Sequence, residues 1–327
     1  MAYNWQPSAD IATIKRRAQY LADVRRFFAQ RDVLEVETPI LSLAAPTAPY
    51  MDSFTTDFMP LGSSSKQAYY LQTSPEFAMK RLLAANLGAI YQIAHVFRNG
   101  EQGRLHSPEF TMLEWYRPEL SLIQLMDEVK ALVQQVFHLN SILRLSYRGI
   151  FEFYVKLNVL TCSDQKIEQC AIELITGLPS DLELDRDGWL ELLMGHIIEP
   201  RLAAMNLAVF IYDFPASQAQ LAKIKKDEAG NSVADRFELY IAGVEIANGY
   251  NELLDANELQ QRFTEDNKQR QVQAKPEMPI DNNLLAAMTS GMPECSGVAL
   301  GFDRIVMLAL NKQDIRSVQS FAFNDAK

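Results

Sequence analysis

Arg98, Glu101, Arg104, His106 and Glu109 lie in one polar stretch, within VFRNGEQGRLHSPEF, with an apolar run on either side. An arginine at a strand end beside a polar loop suits a planar anion such as a phosphate or carboxylate, because its donors form a fixed fork of positive charge. A second set is Glu238, Glu245 and Glu252, seven residues apart within DRFELYIAGVEIANGYNELLD. Two carboxylates on adjacent strands can chelate a hard cation such as Mg²⁺, and a third, beyond Gly249, can bind an ammonium group. A third set lies in PECSGVALGFDRIVMLALN, where Gly297 and Gly301 sit in an apolar run that closes on Asp303 and Arg304. Small residues let a strand lie against a flat ligand, and an arginine at a strand-to-helix junction can hold a phosphate. Taken singly, each set has a plainer reading: a charged hairpin tip, three solvent-facing alternates, a glycine-spaced strand.

The elements that must carry these residues follow from periodicity. The apolar runs at 90–97 and 110–116 flank a long polar loop, the pattern of two antiparallel strands; loops of that length inside a domain are usually functional or disordered. In 235–255, Gly243 and Gly249 interrupt any helical stripe, so two short strands are expected around a turn near Ala242 and Gly243. Upstream, Ile11, Ile14, Ala18, Leu21, Val24, Phe27 and Phe28 recur at helical spacing, with Ser8 or Asp10 as N-cap. Lys15, Arg16, Arg17, Arg25 and Arg26 read as its solvated basic face. A short strand over 33–38 is stopped by Pro39. Residues 47–70 read as a loop with a short hairpin. In YYLQTSPEFAMKRLLAANLG a strand enters a helix, with Ser74 as N-cap, Pro75 at the first helical position and Gly88 at the end. Glu76 there suits the helix dipole or an ammonium at a site rim. Further helices are expected over 120–139, 256–273 and 284–288, and a buried strand over 208–215.

Composition narrows the function classes. The 327 residues are 48% hydrophobic and 22% charged, ordinary for a globular chain. A net charge of -10 is not that of a general nucleic-acid binder, which needs a basic face. Three cysteines without a CxxC read as reduced, buried thiols, and four scattered histidines form no zinc motif. No signal-peptide pattern and no transmembrane-length apolar window occur, so a soluble, cytoplasmic protein is expected.

Together these stretches resemble the class II aminoacyl-tRNA synthetases. LEVETPIL is similar to their first motif, which builds a dimer interface. VFRNGEQGRLHSPEF resembles the second, an arginine-bearing ATP loop, and GVALGFDR the third, a Gly-rich strand ending in arginine. TSPEFAMKRLL, HSPEFTMLEWY and RFELYIAGVEIANGYNEL point to the lysine branch. The resemblance implies an α+β fold: the class II catalytic domain, an antiparallel sheet flanked by helices. It implies one such domain over 1–327, with a helical insertion at about 141–205 and no anticodon-binding domain. A stand-alone catalytic domain of this kind resembles the elongation factor P–lysine ligases. That family activates a lysine-type amino acid, preferentially (R)-β-lysine, as its adenylate and transfers it to a lysine side chain of the translation factor. It implies ATP and Mg²⁺, elongation factor P as acceptor, and a homodimer, with neither tRNA nor membrane as partner.

The resemblance also implies roles. Arg98 would hold the α-phosphate and Arg304 the γ-phosphate, as fixed charges on an in-line displacement. Phe110 would stack on adenine and His106 would sit near the triphosphate, with Asn99, Gly100, Glu101, Ser107, Glu245, Ile246 and Gly301 completing the ATP contacts. Glu238 and Glu245 would coordinate Mg²⁺. Glu252 and Tyr116 would bind the side-chain ammonium, and Ser74, Pro75, Glu76 and Glu114 the other amino group. Three positions depart from the pattern. Gly100 stands where the family's FRNE has Glu, so either the loop presents Glu101 or adenine recognition falls to backbone groups. Ser107 replaces the usual Asn before Pro-Glu-Phe. Ala299 replaces a glycine of the lysine branch, and its methyl group would reshape the amino-acid pocket in favour of a β-amino acid. Another adenylate-forming ligase, or a non-catalytic paralogue that regulates a partner, are the competing readings.

Overall fold

The computed structural model describes residues 5–139, 142–179 and 181–323. The chain divides into two compact units. The first comprises Met1–Glu119, Leu132–His138 and Leu253–Lys327; the second comprises Leu120–Ala131 and Leu139–Glu252. Helix Leu122–Phe137 therefore contributes its first turns to one and its last to the other.

In the first unit, helix Ile11–Ala29 starts at Asp10, whose Oδ1 accepts the Thr13 N–H at 2.7 Å. Ser8, the other expected cap, instead accepts the Ala322 N–H at 2.7 Å. The buried stripe is rotated from the one the apolar spacing predicts. Thr13, Tyr20, Val24, Phe27 and Phe28 face inward, while Ile11 and Ala18 are exposed. Arg17 lies on that inward stripe, for a reason given below. Strand Leu34–Glu35 pairs in parallel with Ile90–Phe97, which runs antiparallel to Glu109–Pro118. Cys295–Gly301 flanks Glu109–Pro118 on its other side, also antiparallel. The hairpin expected in 47–70 is Thr55–Phe58 with Gln67–Leu71, extended by Leu41–Ser42.

Helix Glu76–Ala84 departs from its predicted caps. Pro75 is the N-cap and Ser74 lies one residue further out, its hydroxyl reaching the Glu76 N–H only at 3.4 Å. The helix closes four residues before Gly88, because Asn86 takes the left-handed turn first (φ 61°). Helices Ala256–Val272, Asn282–Gly291 and Phe302–Ala309 complete the unit's longer helices.

In the second unit, Ile142–Ser146 pairs in parallel with Ala208–Pro215, followed by antiparallel Ser232–Ile241 and Val244–Asn251. Helices Tyr147–Tyr154, Asp164–Leu174, Arg186–Leu193 and Glu199–Ala204 gather around Tyr147, Phe151, Trp189, Leu193 and Ile198. Residue 141, the expected start of the insertion, lies outside the described residues. Antiparallel pairing dominates both units, so the fold is α+β as expected. None of the three cysteines is in a disulfide; Cys295 is buried, but Cys162 and Cys170 are only half-buried, on the rim of the helical core. Among the described residues no helix is long and apolar enough to cross a membrane.

Candidate active site

Register decides which side chains share a face. Across Ile90–Phe97, Glu109–Pro118 and Cys295–Gly301, Glu114 stands opposite Gln92 and Ala299, Met112 opposite Ala94 and Gly301, and Tyr116 opposite Ile90 and Gly297. Phe110 continues the row. This face therefore carries large and polar groups on the middle strand beside three small residues on its neighbour. The other face carries Thr111, Leu113 and Trp115, closed by helix Ile11–Ala29 through Phe28 packed 5.3 Å from the Trp115 ring. Glu114 and Tyr116 are buried, and the Tyr116 hydroxyl donates to Glu114 Oε1 at 2.7 Å. A buried carboxylate on this face is a place for a cation.

The loop of residues 98–108 is fixed at several points. At its base the Arg98 N–H donates to the Pro108 carbonyl at 2.9 Å, and the Asn99 N–H to the Asp52 carbonyl at 2.8 Å. At its far side Arg304 Nε donates to the Leu105 carbonyl at 3.1 Å, and Arg304 Nη2 meets His106 Nε2 at 2.7 Å. Arg98 sits with its guanidinium carbon 5.2 Å from the Phe110 ring centroid, a cation–π placement. Both arginines thus address one loop from opposite ends. Gly100 has φ +86° in open space, a conformation that a side chain at this position disfavours. The turn it makes brings Glu101 to 3.8 Å from Arg98. Asn99 is exposed and Ser107 buried.

The segment of Ser74, Pro75 and Glu76 is tied to the same region through Gln72. Its carbonyl accepts the Phe97 N–H at 2.9 Å and its amide donates to the His95 carbonyl at 2.9 Å. Glu76 accepts an ion pair from the buried Lys80 at 2.6 Å.

A buried ion pair, which sequence reasoning missed, underlies the third motif. Arg17 Nη1 approaches Asp303 Oδ1 to 2.6 Å, and Arg17 Nη2 donates to the Thr111 hydroxyl at 2.8 Å. Asp303 Oδ2 accepts the Thr111 N–H at 3.1 Å and Gln319 Nε2 at 3.0 Å. Arg17 is therefore a structural cation behind the sheet, not part of a solvated basic face. The available signal was its place on the stripe of Thr13, Tyr20 and Val24, four and three residues from its neighbours.

In the second unit the predicted turn is present, with Ala242 and Gly243 both at positive φ (49° and 74°). A Cβ on Gly243 would come within 2.3 Å of the Glu199 carbonyl. Leu239 pairs with Ala247 but Tyr240 pairs with Glu245, so Ile246 is the extra residue of a bulge. That bulge is what the three glutamates depend on. In a regular strand Glu245 and Glu252, an odd number of residues apart, face opposite ways. With it, Glu245 joins Tyr240 and Glu238, and the parity of Asn248 and Tyr250 carries Glu252 to the same face. Glu238 is held by Arg236 through Oε1 and by the Tyr240 hydroxyl at 2.7 Å through Oε2. Burial pushes its carboxyl above the ordinary carboxylate value, against the pull of Arg236 and with the help of Glu245. Arg236 also donates to the Gln218 carbonyl at 2.8 Å and to Asn248 Oδ1 at 3.2 Å. Neither Arg236 nor Tyr240 was singled out from the sequence.

Among the described residues no three His, Cys, Asp or Glu side chains converge as a metal cage. The pair Glu238 and Glu245 fits a Mg²⁺ ion on charge: a cation between them would offset the burial and the Glu245 repulsion that raise Glu238, and each Glu238 oxygen keeps a lone pair beyond its bond to Arg236 or Tyr240.

A family model for the class II tRNA synthetases (D, K and N) matches residues 7–325. A curated protein of Photorhabdus laumondii named elongation factor P–(R)-β-lysine ligase is 48% identical over 323 residues, covering 99% of this chain and 98% of the relative. Proteins of the same name from Proteus mirabilis (48% over 318 residues, 97% of each chain) and Yersinia pestis (47% over 323 residues, 99% and 98%) are similar to the same extent.

Proposed function

We propose a function from the premise that this chain belongs to the class II (D, K and N) tRNA synthetase family, alongside the elongation factor P–(R)-β-lysine ligases. It is an ATP-dependent ligase that activates (R)-β-lysine as its adenylate and joins it to a lysine side chain of elongation factor P. One observation carries the chemistry. A single sheet face sets the buried Glu114 and Tyr116 on the same strand as Phe110, next to a loop bracketed by Arg98 and Arg304. Negative charge for an ammonium and fixed positive charge for phosphates are what an amino-acid-activating site needs side by side.

In the first unit we assign Arg98 and Arg304 to the α- and γ-phosphates, with Phe110 under the adenine and Asn99, Gly100, Glu101, His106, Ser107 and Gly301 around the nucleotide. Glu114 and Tyr116, with Ser74, Pro75 and Glu76, take amino groups of the substrate, and Ala299 forms the floor opposite Glu114. In the second unit we assign Glu245 and Ile246 to the nucleotide and Glu252 to a substrate ammonium. Glu238 and Glu245 would hold Mg²⁺, which when bound neutralises phosphate charge. The substrate carboxylate attacks the α-phosphorus and pyrophosphate leaves. The acceptor amine, deprotonated, then attacks the adenylate carbonyl and AMP leaves. No protein nucleophile is required; positioning and fixed charge supply the rate. A net charge of -10 supports a protein acceptor over tRNA. We place the enzyme in the cytoplasm as a homodimer; exposed Leu34, Ile40 and Leu41 in the first motif, with Leu43 just beyond it, support the dimer.

The test is ATP–pyrophosphate exchange with (R)-β-lysine, L-lysine or L-aspartate, followed by mass spectrometry of elongation factor P incubated with the enzyme, ATP and the best substrate. Exchange with (R)-β-lysine and a matching mass increment on one acceptor lysine are expected. ATP binding without exchange for any amino acid would overturn the ligase and leave the regulatory paralogue.

A further inference from the structure

Arg270 is 0% exposed, buried with Leu259 and Phe263 on a helix that is otherwise mostly polar and solvated. Its guanidinium donates to four acceptors. These are the Pro276 carbonyl at 2.8 Å, the Ala48 carbonyl at 3.1 Å, the Met51 carbonyl at 3.2 Å and Asp52 Oδ1 at 2.8 Å. Lys275 adds a second cation, 3.1 Å from Asp52 Oδ2 and 2.7 Å from the Pro49 carbonyl. A further bond joins the same helix to the same turn, from the Thr47 hydroxyl to Asp266 at 2.7 Å. Residues 47–52 are thus a turn built around a buried guanidinium. The turn has one connection that bears on the site: the Asp52 carbonyl accepts the Asn99 N–H at 2.8 Å, an isolated bridge between the two residues. Asn99 lies between Arg98 and the left-handed Gly100, where the loop leaves its strand.

Stability alone is a weak reason for such a residue. Buried charged groups replaced by apolar ones of similar volume are often neutral or better for stability, and their known use is to specify one geometry. Only a planar fork can meet three carbonyls and a carboxylate together; an ammonium is a point charge with three donors. Other anchors hold other points of the loop: the Arg98 N–H on the Pro108 carbonyl closes its base, Arg104 is tied to Gln313 and Ile315, and Arg304 meets Leu105 and His106, so Asp52 is what ties Asn99, beside Arg98, to the turn.

We infer that Arg270 is a positioning residue for ATP: through Asp52 and the Asn99 backbone it holds the Arg98 end of the 98–108 loop in its binding geometry. This rests on the ligase reading, and the experiment separates the two. Arg270→Lys and Asp52→Asn are compared with the wild-type chain in two measurements: KM values for ATP and (R)-β-lysine in pyrophosphate exchange, and amide hydrogen exchange of peptides covering 97–108. Arg270→Lys is expected to raise the ATP KM at least fivefold with the amino-acid KM within twofold, and to speed exchange in 97–108 more than in the 109–118 strand. Asp52→Asn moves both readouts in the same direction by less. Equal rises in both KM values, or an unchanged ATP KM with unchanged exchange in 97–108, overturn the inference. If Arg270→Lys does not fold, Asp52→Asn decides, since Asp52 is partly exposed. If the wild-type chain exchanges no pyrophosphate, the ligase reading falls, and hydrogen exchange still decides whether Arg270 orders the loop.

Discussion

Replacing Arg17 with methionine removes the cation facing Asp303 while keeping an unbranched apolar stem. Asp303 is 1% exposed. The contact of 2.6 Å lies off the line of a hydrogen bond, so its value is mainly coulombic. Removing one partner of a buried pair costs about 3–5 kcal/mol. Two hydrogen bonds to Oδ2 persist, which puts Arg17→Met near the lower end, about 3 kcal/mol. Asp303→Asn leaves a guanidinium that is partly solvated and still bonded to Thr111, and should cost about 2 kcal/mol, the scale of a hydrogen bond to a charged group. The double variant contains no uncompensated charge. It should cost about 2–3 kcal/mol and not the sum of about 5, a coupling of about 2 kcal/mol or more. Urea unfolding of the four proteins measures this. A Trp189→Phe background removes the tryptophan of the second unit, so that the fluorescence change on unfolding follows the buried Trp115, since Trp5 is already exposed in the folded chain. Single-variant costs that add to within about 0.5 kcal/mol would refute the idea that Arg17 compensates Asp303.

Asp10 gives a pH signature. The Thr13 N–H first, and Lys312 second, lower its carboxyl to about 2. A lowered carboxyl contributes stability that is complete above its unfolded value and is lost as pH falls through the folded one. Asp10→Ala should therefore be less stable than the wild type at neutral pH, with the gap closing below about pH 4; a gap that persists to about pH 2 counts against this account. Gly100→Ala meets no atom within 4 Å, so its cost is the left-handed backbone alone, about 1–2 kcal/mol, or roughly five- to thirty-fold in the ATP KM with the amino-acid KM unchanged. An unaltered ATP KM would mean that the loop binds nucleotide in another conformation. Ala299→Gly removes a methyl group opposite Glu114 and should move the ratio of kcat/KM for (R)-β-lysine over L-lysine roughly tenfold toward L-lysine. An unchanged ratio in the exchange assay would leave the pocket floor without a part in this choice.

Local chemistry made much of the fold legible in advance. Helix periodicity located the segments now seen as Ile11–Ala29, Leu122–Phe137 and Ala256–Val272 to within a few residues. Asp10, Ala242 and Gly243 carried their cap and turn in their own side-chain and backbone preferences. Errors arose where a tertiary contact or a neighbouring residue overrode a local rule. The apolar spacing of the first helix put Ile11 and Ala18 inside, but the helix rotates so that Arg17 reaches Asp303. Pro75 and Gly88 obeyed their general preferences one or a few residues away from where those preferences predicted them.

By itself the sequence determined the kinds of residues available and their order along the strands: two arginines at strand ends, a glycine-spaced strand, glutamates in a hairpin. These are properties of residue type and short-range spacing, and they survive translation into any compatible fold. Tertiary structure alone decided which of them share a face. The bulge at Ile246 exists only in the register between two strands, yet it carries Glu245 to the side of Glu238. The burial of Arg17 and Arg270 is tolerable only because Asp303 and Asp52, far away in the chain, supply the opposite charge. A buried charge is affordable or ruinous according to a partner that no window of neighbouring residues contains.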